Sequence, residues 1–171
     1  MLLKNFVDKK TCAKLAKYMD ENRDQHVVKD PVEKAIAFNK VFSEFHYRLT
    51  EKLEKIVNKT LFPTKDYSRI YLKGSELLPH TDRPHCEYSI TLNLKNAPEG
   101  NSWPFYIKKP GEWKKETFNL DVGDAIVYDG IHWMHWRNTL EYDMCYQVFL
   151  HWVDANGSHS DIGVKNYKEF I

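Results

Sequence analysis

The residues best suited to chemistry lie at His80-Thr81-Asp82. In an extended chain, residues i and i+2 project to one face, so this imidazole and carboxylate can share one ion. A third ligand from a distant strand completes a two-histidine, one-carboxylate face. Such a face leaves positions open for a chelating cosubstrate and dioxygen, which suits non-haem Fe(II). The pair alone is weak evidence, because 8 His and 24 acids in 171 residues give about one His-x-acid match by chance. The chain holds two more, His85/Glu87 and His159/Asp161. His80/Asp82 stands apart because it follows a strand-like run, then Lys73-Gly74 and Pro79, which puts it at a strand rim.

The run from Gly123 to Arg137 offers two candidate third ligands, His132 and His135. Period two puts Trp133, His135 and Arg137 on one face and His132, Met134 and Trp136 on the other. An iron site that takes a dicarboxylic cosubstrate needs a cation at the far end of its pocket, and the arginine fork suits a carboxylate. His135 with Arg137 meets both demands and His132 meets one. The competing reading is an aromatic sheet face on which His135 hydrogen-bonds a backbone carbonyl. Trp103, Trp133 and Trp136 are candidate pocket walls.

The elements that must hold these residues divide the chain in two. All seven Gly follow residue 73, and all five Trp fall between 103 and 152. The first 60 residues read as helix. Asp8 caps a helix whose apolar face is Cys12, Leu15, Ala16 and Met19. Asp30, Pro31 and Glu33 form the cap, first-turn proline and capping-box acid of a second helix, which runs to about Asn58 on Phe38, Phe42, Phe45, Leu49, Leu53 and Ile56. His26 and His46 fall in this half and are left out of the site. Residues 61–154 read as short strands at 67–72, 87–94, 104–108, 116–120, 125–128, 131–137 and 144–153, separated by Gly- and Pro-bearing turns. That is a jelly roll, sandwich or barrel. Residues 155–171 read as a C-terminal extension on the same single domain.

Composition narrows the function. With 25 Lys+Arg against 24 Asp+Glu, the net charge is +1, so strong nucleic-acid binding is not expected. No apolar run approaches the ~18 residues of a membrane span. Three Cys without a close pair, and no secretory leader in the opening residues, predict a reduced, cytoplasmic protein. The loop 95–103 and the segment 108–115, basic at Lys108, Lys109, Lys114 and Lys115, are candidate entrance walls.

In order along the chain, Tyr71, His80-x-Asp82, Thr91-x-Asn93-Leu94, Trp103-Pro104, Gly123-Asp124-Ala125 and His135 resemble the Fe(II)/2-oxoglutarate-dependent oxygenases. The branch most resembled is the prolyl 4-hydroxylase-like one. The resemblance implies a mainly β fold with N-terminal helices: a double-stranded β-helix, or distorted jelly roll, buttressed by helices. It implies His80, Asp82 and His135 as iron ligands, and Tyr71 and Asn93 as cosubstrate-pocket residues. It also implies Fe(II), 2-oxoglutarate and dioxygen as cofactor and cosubstrates, with hydroxylation of a small-molecule or peptide substrate, prolyl residues among the options, and release of succinate and CO2. One departure stands out. Such relatives carry Arg or Lys about ten residues after the distal His, whereas this chain has Asp143-Met144-Cys145-Tyr146-Gln147. Arg137 is the expected substitute, with Gln147 and His151 as the other option. A jelly-roll binding or structural module without metal, and a cupin-like metal enzyme that does not use 2-oxoglutarate, are the competing classes.

Overall fold

Runs of Ile, Val, Tyr and Phe with alternating burial pair into two antiparallel sheets, and two amphipathic helices cover one of them. The computed structural model describes residues 1–24, 28–30 and 33–163. In chain order the elements are β1 (Leu2–Leu3), α1 (Lys9–Glu21), β2 (Val28–Asp30), β3 (Ala35–Asn39), α2 (Ser43–Val57), β4 (Leu61–Leu72), β5 (Leu77–His80), β6 (Tyr88–Ala97), β7 (Phe105–Lys108), β8 (Glu116–Phe118), β9 (Ala125–Tyr128), β10 (Met134–Arg137) and β11 (Met144–Asp154). The major sheet runs β1-β9-β6-β11-β4-β3-β2 and the minor sheet β5-β10-β7-β8. This is the jelly roll expected from the strand-rich half. Among the described residues, no helix is long and apolar enough to cross a membrane.

Strand β11 is the spine of the major sheet, paired with β4 on one side and β6 on the other. Its side chains sort by period two. Tyr146, Val148, Leu150 and Trp152 enter the core beneath the helices, while Cys145 and Phe149 join Tyr71 and Trp103 between the sheets. Gln147 and His151 share the inner parity and are also buried. Burying a Leu or Phe side chain contributes about 1.5–3 kcal/mol, so this alternation fixes which face β11 turns inward.

Helix α1 is capped as read: Asp8 accepts from the Thr11 N–H at 2.9 Å, and Cys12, Ala16 and Met19 are buried. Such a cap contributes about 1 kcal/mol. The second helix differs from expectation. It begins at Ser43, and the stretch read as its first turns is sheet: Asp30 lies in β2, and Ala35–Asn39 pairs with Tyr67–Tyr71 of β4. Pro31 lies outside the described residues, as does His26. Glu33, read as a capping acid, instead pairs with Arg69 at 2.7 Å. Tertiary pairing on the β4 edge outweighs the local capping signal. Phe38 reaches the core from a strand as it would from a helix, so the apolar spacing fits either element. Trp152 ties α2 to the sheet, donating to Thr50 Oγ1 at 2.9 Å and lying edge-on to His46.

Candidate metal centre

The minor sheet brings the distant histidine to the His-x-Asp element directly. His80, the last residue of β5, is the cross-strand partner of His135 in β10. Their rings lie 4.3 Å apart, tilted by 55°. Asp82 follows β5 by two residues, and its N–H donates to the Gly130 carbonyl at 2.7 Å. Gly130 must lack a side chain, because a Cβ there would stand 2.6 Å from Asp82 Oδ2. One ligand atom from each of His80, Asp82 and His135 lies within 4.8 Å of the others.

The hydrogen bonds fix both tautomers. His80 Nδ1 is 2.8 Å from the Leu78 carbonyl and His135 Nδ1 is 2.9 Å from the Trp133 carbonyl. A carbonyl only accepts, so each Nδ1 carries the hydrogen and each neutral ring keeps a lone pair on Nε2. Those atoms face Asp82, at 3.5 Å from Oδ1 for His80 and 3.7 Å from Oδ2 for His135. Asp82 Oδ2 is buried without a hydrogen-bond partner among the described residues. Three acceptors therefore converge with no donor between them, a set that fits a divalent cation. Burial holds the His135 imidazole below its usual pKa, whereas the neighbouring Asp82 carboxylate lifts that of His80 by favouring its protonated form. Burial pushes the Asp82 carboxyl up, but the imidazoles of His80, His135 and His151 around it bring it below the usual carboxylate value.

Two residues beyond His135, Arg137 is 2% exposed. Its Nη1 donates to the Trp103 carbonyl and its Nη2 to Gln147 Oε1 at 3.2 Å. Its carbon centre lies 4.9 Å from each of the Trp103 and Phe105 rings. Neither of these partners is a carboxylate, and Nε has no hydrogen-bond partner among the described residues. An unpaired buried charge costs several kcal/mol, so this guanidinium is poised for an anion.

The other expected residues fall as follows. Tyr71 is buried edge-on to Trp103, with centroids 4.9 Å apart. Asn93 is buried with both polar atoms engaged: Nδ2 donates to the Leu120 carbonyl at 2.9 Å and Oδ1 accepts from Gln147 Nε2 at 3.0 Å. It orients Gln147, which in turn holds Arg137. Gln147 and Arg137, read as alternatives, are thus neighbours, whereas His151 lies with Asp82 and Cys86. His132 is on the rim, paired with Asp129 at 2.9 Å. Trp136 does not wall the pocket, since it stacks on Tyr106 outside the inner face. Residues 95–101 of the loop read as an entrance wall line a separate cavity of about 780 Å³ against α1. A cavity of about 250 Å³ opens at the ligand cluster, with Lys65, Tyr67, Arg83 and His85 in its wall. A second, of about 460 Å³, joins Thr81 to Lys108, Trp113 and Met134. Sequence reasoning missed Tyr67 and Cys86. The period-two step from Tyr71 back through Arg69 was the available signal for Tyr67.

No family model matches the sequence, and no curated protein matches it either. Solved structures do match. An oxidoreductase of the 2OG-Fe(II) oxygenase family from Burkholderia pseudomallei superposes with TM-score 0.71 at 16% identity, over 93% of this chain and 86% of that one. A Pseudomonas putida prolyl-4-hydroxylase gives 0.69 at 10% identity, over 88% and 90%. HygX from Streptomyces hygroscopicus, solved with nickel and 2-oxoglutarate bound, gives 0.71 at 11% identity, over 100% and 94%. The chain has the 2-oxoglutarate oxygenase fold. In this oxygenase fold the chain places its two sheets around His80, Asp82, His135 and Arg137, which accounts for the buried polar interior of an otherwise apolar jelly roll.

Proposed function

We propose that the protein is an Fe(II)- and 2-oxoglutarate-dependent dioxygenase that hydroxylates an amino-acid or peptide substrate. The observation that carries this reading is the pairing of a donor-free acceptor cluster, His80–Asp82–His135, with an uncompensated buried cation, Arg137. The first fits a metal and the second fits the far carboxylate of a dicarboxylic keto acid. The likeness to HygX with nickel and 2-oxoglutarate, and to a prolyl-4-hydroxylase, supports the choice of cofactor and substrate class.

His80, Asp82 and His135 hold the metal. When bound, Fe(II) with 2-oxoglutarate and dioxygen supplies an oxidative decarboxylation that yields succinate and CO2 and oxidises a substrate C–H bond. Leu78 and Trp133 carbonyls keep both imidazoles presenting Nε2. Arg137, fixed by Trp103 and Gln147, orients the cosubstrate through its distal carboxylate. Tyr71, Trp103 and Phe105 exclude water around that charge. Substrate enters by the cavities flanking Thr81, where Lys65 and Arg83 favour an acidic group.

The test is Fe(II)-dependent succinate release, with peptides, amino acids and nucleosides screened for gain of one oxygen atom. Asp82→Ala is expected to abolish turnover with unchanged circular dichroism. Normal turnover in that variant contradicts the reading.

A further inference from the structure

A second set of metal-ligating side chains shares Asp82 with the first, and its other two members, Cys86 and His151, have no part in the reaction above. One ligand atom from each of Asp82, Cys86 and His151 lies within 4.8 Å of the others. His151 is 1% exposed and Cys86 is buried as a free thiol. They come from separate elements: Cys86 ends a short 3-10 turn at Pro84–Cys86, and His151 sits on the inner face of β11.

Ser89 decides which His151 nitrogen is free. Its hydroxyl has one hydrogen, directed to the Cys86 carbonyl at 3.0 Å, which can only accept it. His151 Nδ1, 2.8 Å from the same hydroxyl, must then donate. The lone pair is left on Nε2, which is buried without a hydrogen-bond partner among the described residues. Asp82 Oδ2 is in the same condition. Two orphaned acceptors and a thiol thus gather in one place, with a hydroxyl holding the imidazole in the metal-binding tautomer.

We propose that Asp82, Cys86 and His151 form a second cation site that takes a thiophilic divalent ion such as Zn²⁺ or Co²⁺. The nitrogen, sulfur and oxygen donors select these ions over Mg²⁺ or Ca²⁺. Binding exchanges the Cys86 thiol proton for a sulfur–metal bond, and the proton leaves to solvent. Asp82 belongs to both sets, so an ion here draws its carboxylate away from His80 and His135, and zinc excludes iron.

Anaerobic Co²⁺ titration tests this, because a cobalt–thiolate bond produces an intense near-ultraviolet charge-transfer band that nitrogen and oxygen ligands do not. The wild-type protein is expected to give a saturable band that Zn²⁺ displaces. The band disappears in Cys86→Ser and in Cys86→Ala, weakens about tenfold or more in affinity in His151→Gln, and persists in His135→Gln. Cobalt bound without a thiolate band in the wild type, or a band that survives loss of Cys86, overturns the proposal. Neither result bears on the iron and 2-oxoglutarate reading, which His135→Gln and succinate release address separately.

Discussion

Replacing Arg137 with Met removes a buried guanidinium while keeping much of its volume, which separates its role in binding from its role in packing. Apolar replacement of a buried charge is often neutral or stabilising, so the melting temperature of Arg137→Met is expected to hold or rise. Affinity for 2-oxoglutarate, read by calorimetry on the metal-loaded protein, is expected to fall at least about 30-fold, equivalent to about 2 kcal/mol. Unchanged affinity would move the carboxylate to another residue. At this scale the cluster was legible in part: spacing puts His80 and Asp82 on one face, as chance also would, and parity puts His135 and Arg137 on one face of one strand. The roles of Gln147, Asn93, Cys86 and His151 were not. Asn93 and Gln147 lie 54 positions apart and Ser89 and His151 62, and no local pattern marks which polar group on a buried strand meets which.

Among the elements, the turn between β9 and β10 sets the position of Asp82. A methyl group at Gly130 would lie 2.6 Å from Asp82 Oδ2 and 2.5 Å from the Cys86 carbonyl. Gly130→Ala is therefore expected to fold, with an overpacking cost of about 1–3 kcal/mol, while Fe(II) affinity falls about 10- to 100-fold as Asp82 is displaced. Wild-type iron affinity in that variant would show that the carboxylate has room elsewhere. The turn glycines and the runs of Ile, Val and Tyr made most strands of the barrel readable. The strands β2 and β3 were not readable, because Asp30, Pro31 and Glu33 imitate a helix start and Phe38 satisfies either period. Only the free edge of β4, a non-local feature, decides for sheet. Strand β5 was missed for a related reason: it is four residues long, Leu77–His80, and carries a proline.

The whole molecule is nearly neutral, so its response to pH comes from individual buried groups. Burial holds His46 and His151 below the usual imidazole pKa, His151 down to about 3. The unfolded chain takes up those protons near pH 6.5 and the folded chain does not, so stability is full above that pH and falls as pH drops toward the folded values. Each imidazole is expected to remove about 1.4 kcal/mol per pH unit within that window. Asp66, pushed up by burial but carried below its usual value by His46 and Ser43, adds a further loss at lower pH. Urea midpoints of the metal-free protein at pH 7, 6 and 5 should fall in that order, and a flat series would contradict the neutral burial of these rings. Inside the barrel, the proposal is that His80, Asp82 and His135 hold iron while Arg137 holds 2-oxoglutarate. Anaerobic titration of the protein with Fe(II) and 2-oxoglutarate tests it most directly, through the weak visible metal-to-ligand charge-transfer band of the chelate. The expected result is a band that saturates at one equivalent of each and is absent in Asp82→Ala; no band and no stoichiometric iron in the wild-type protein would contradict it.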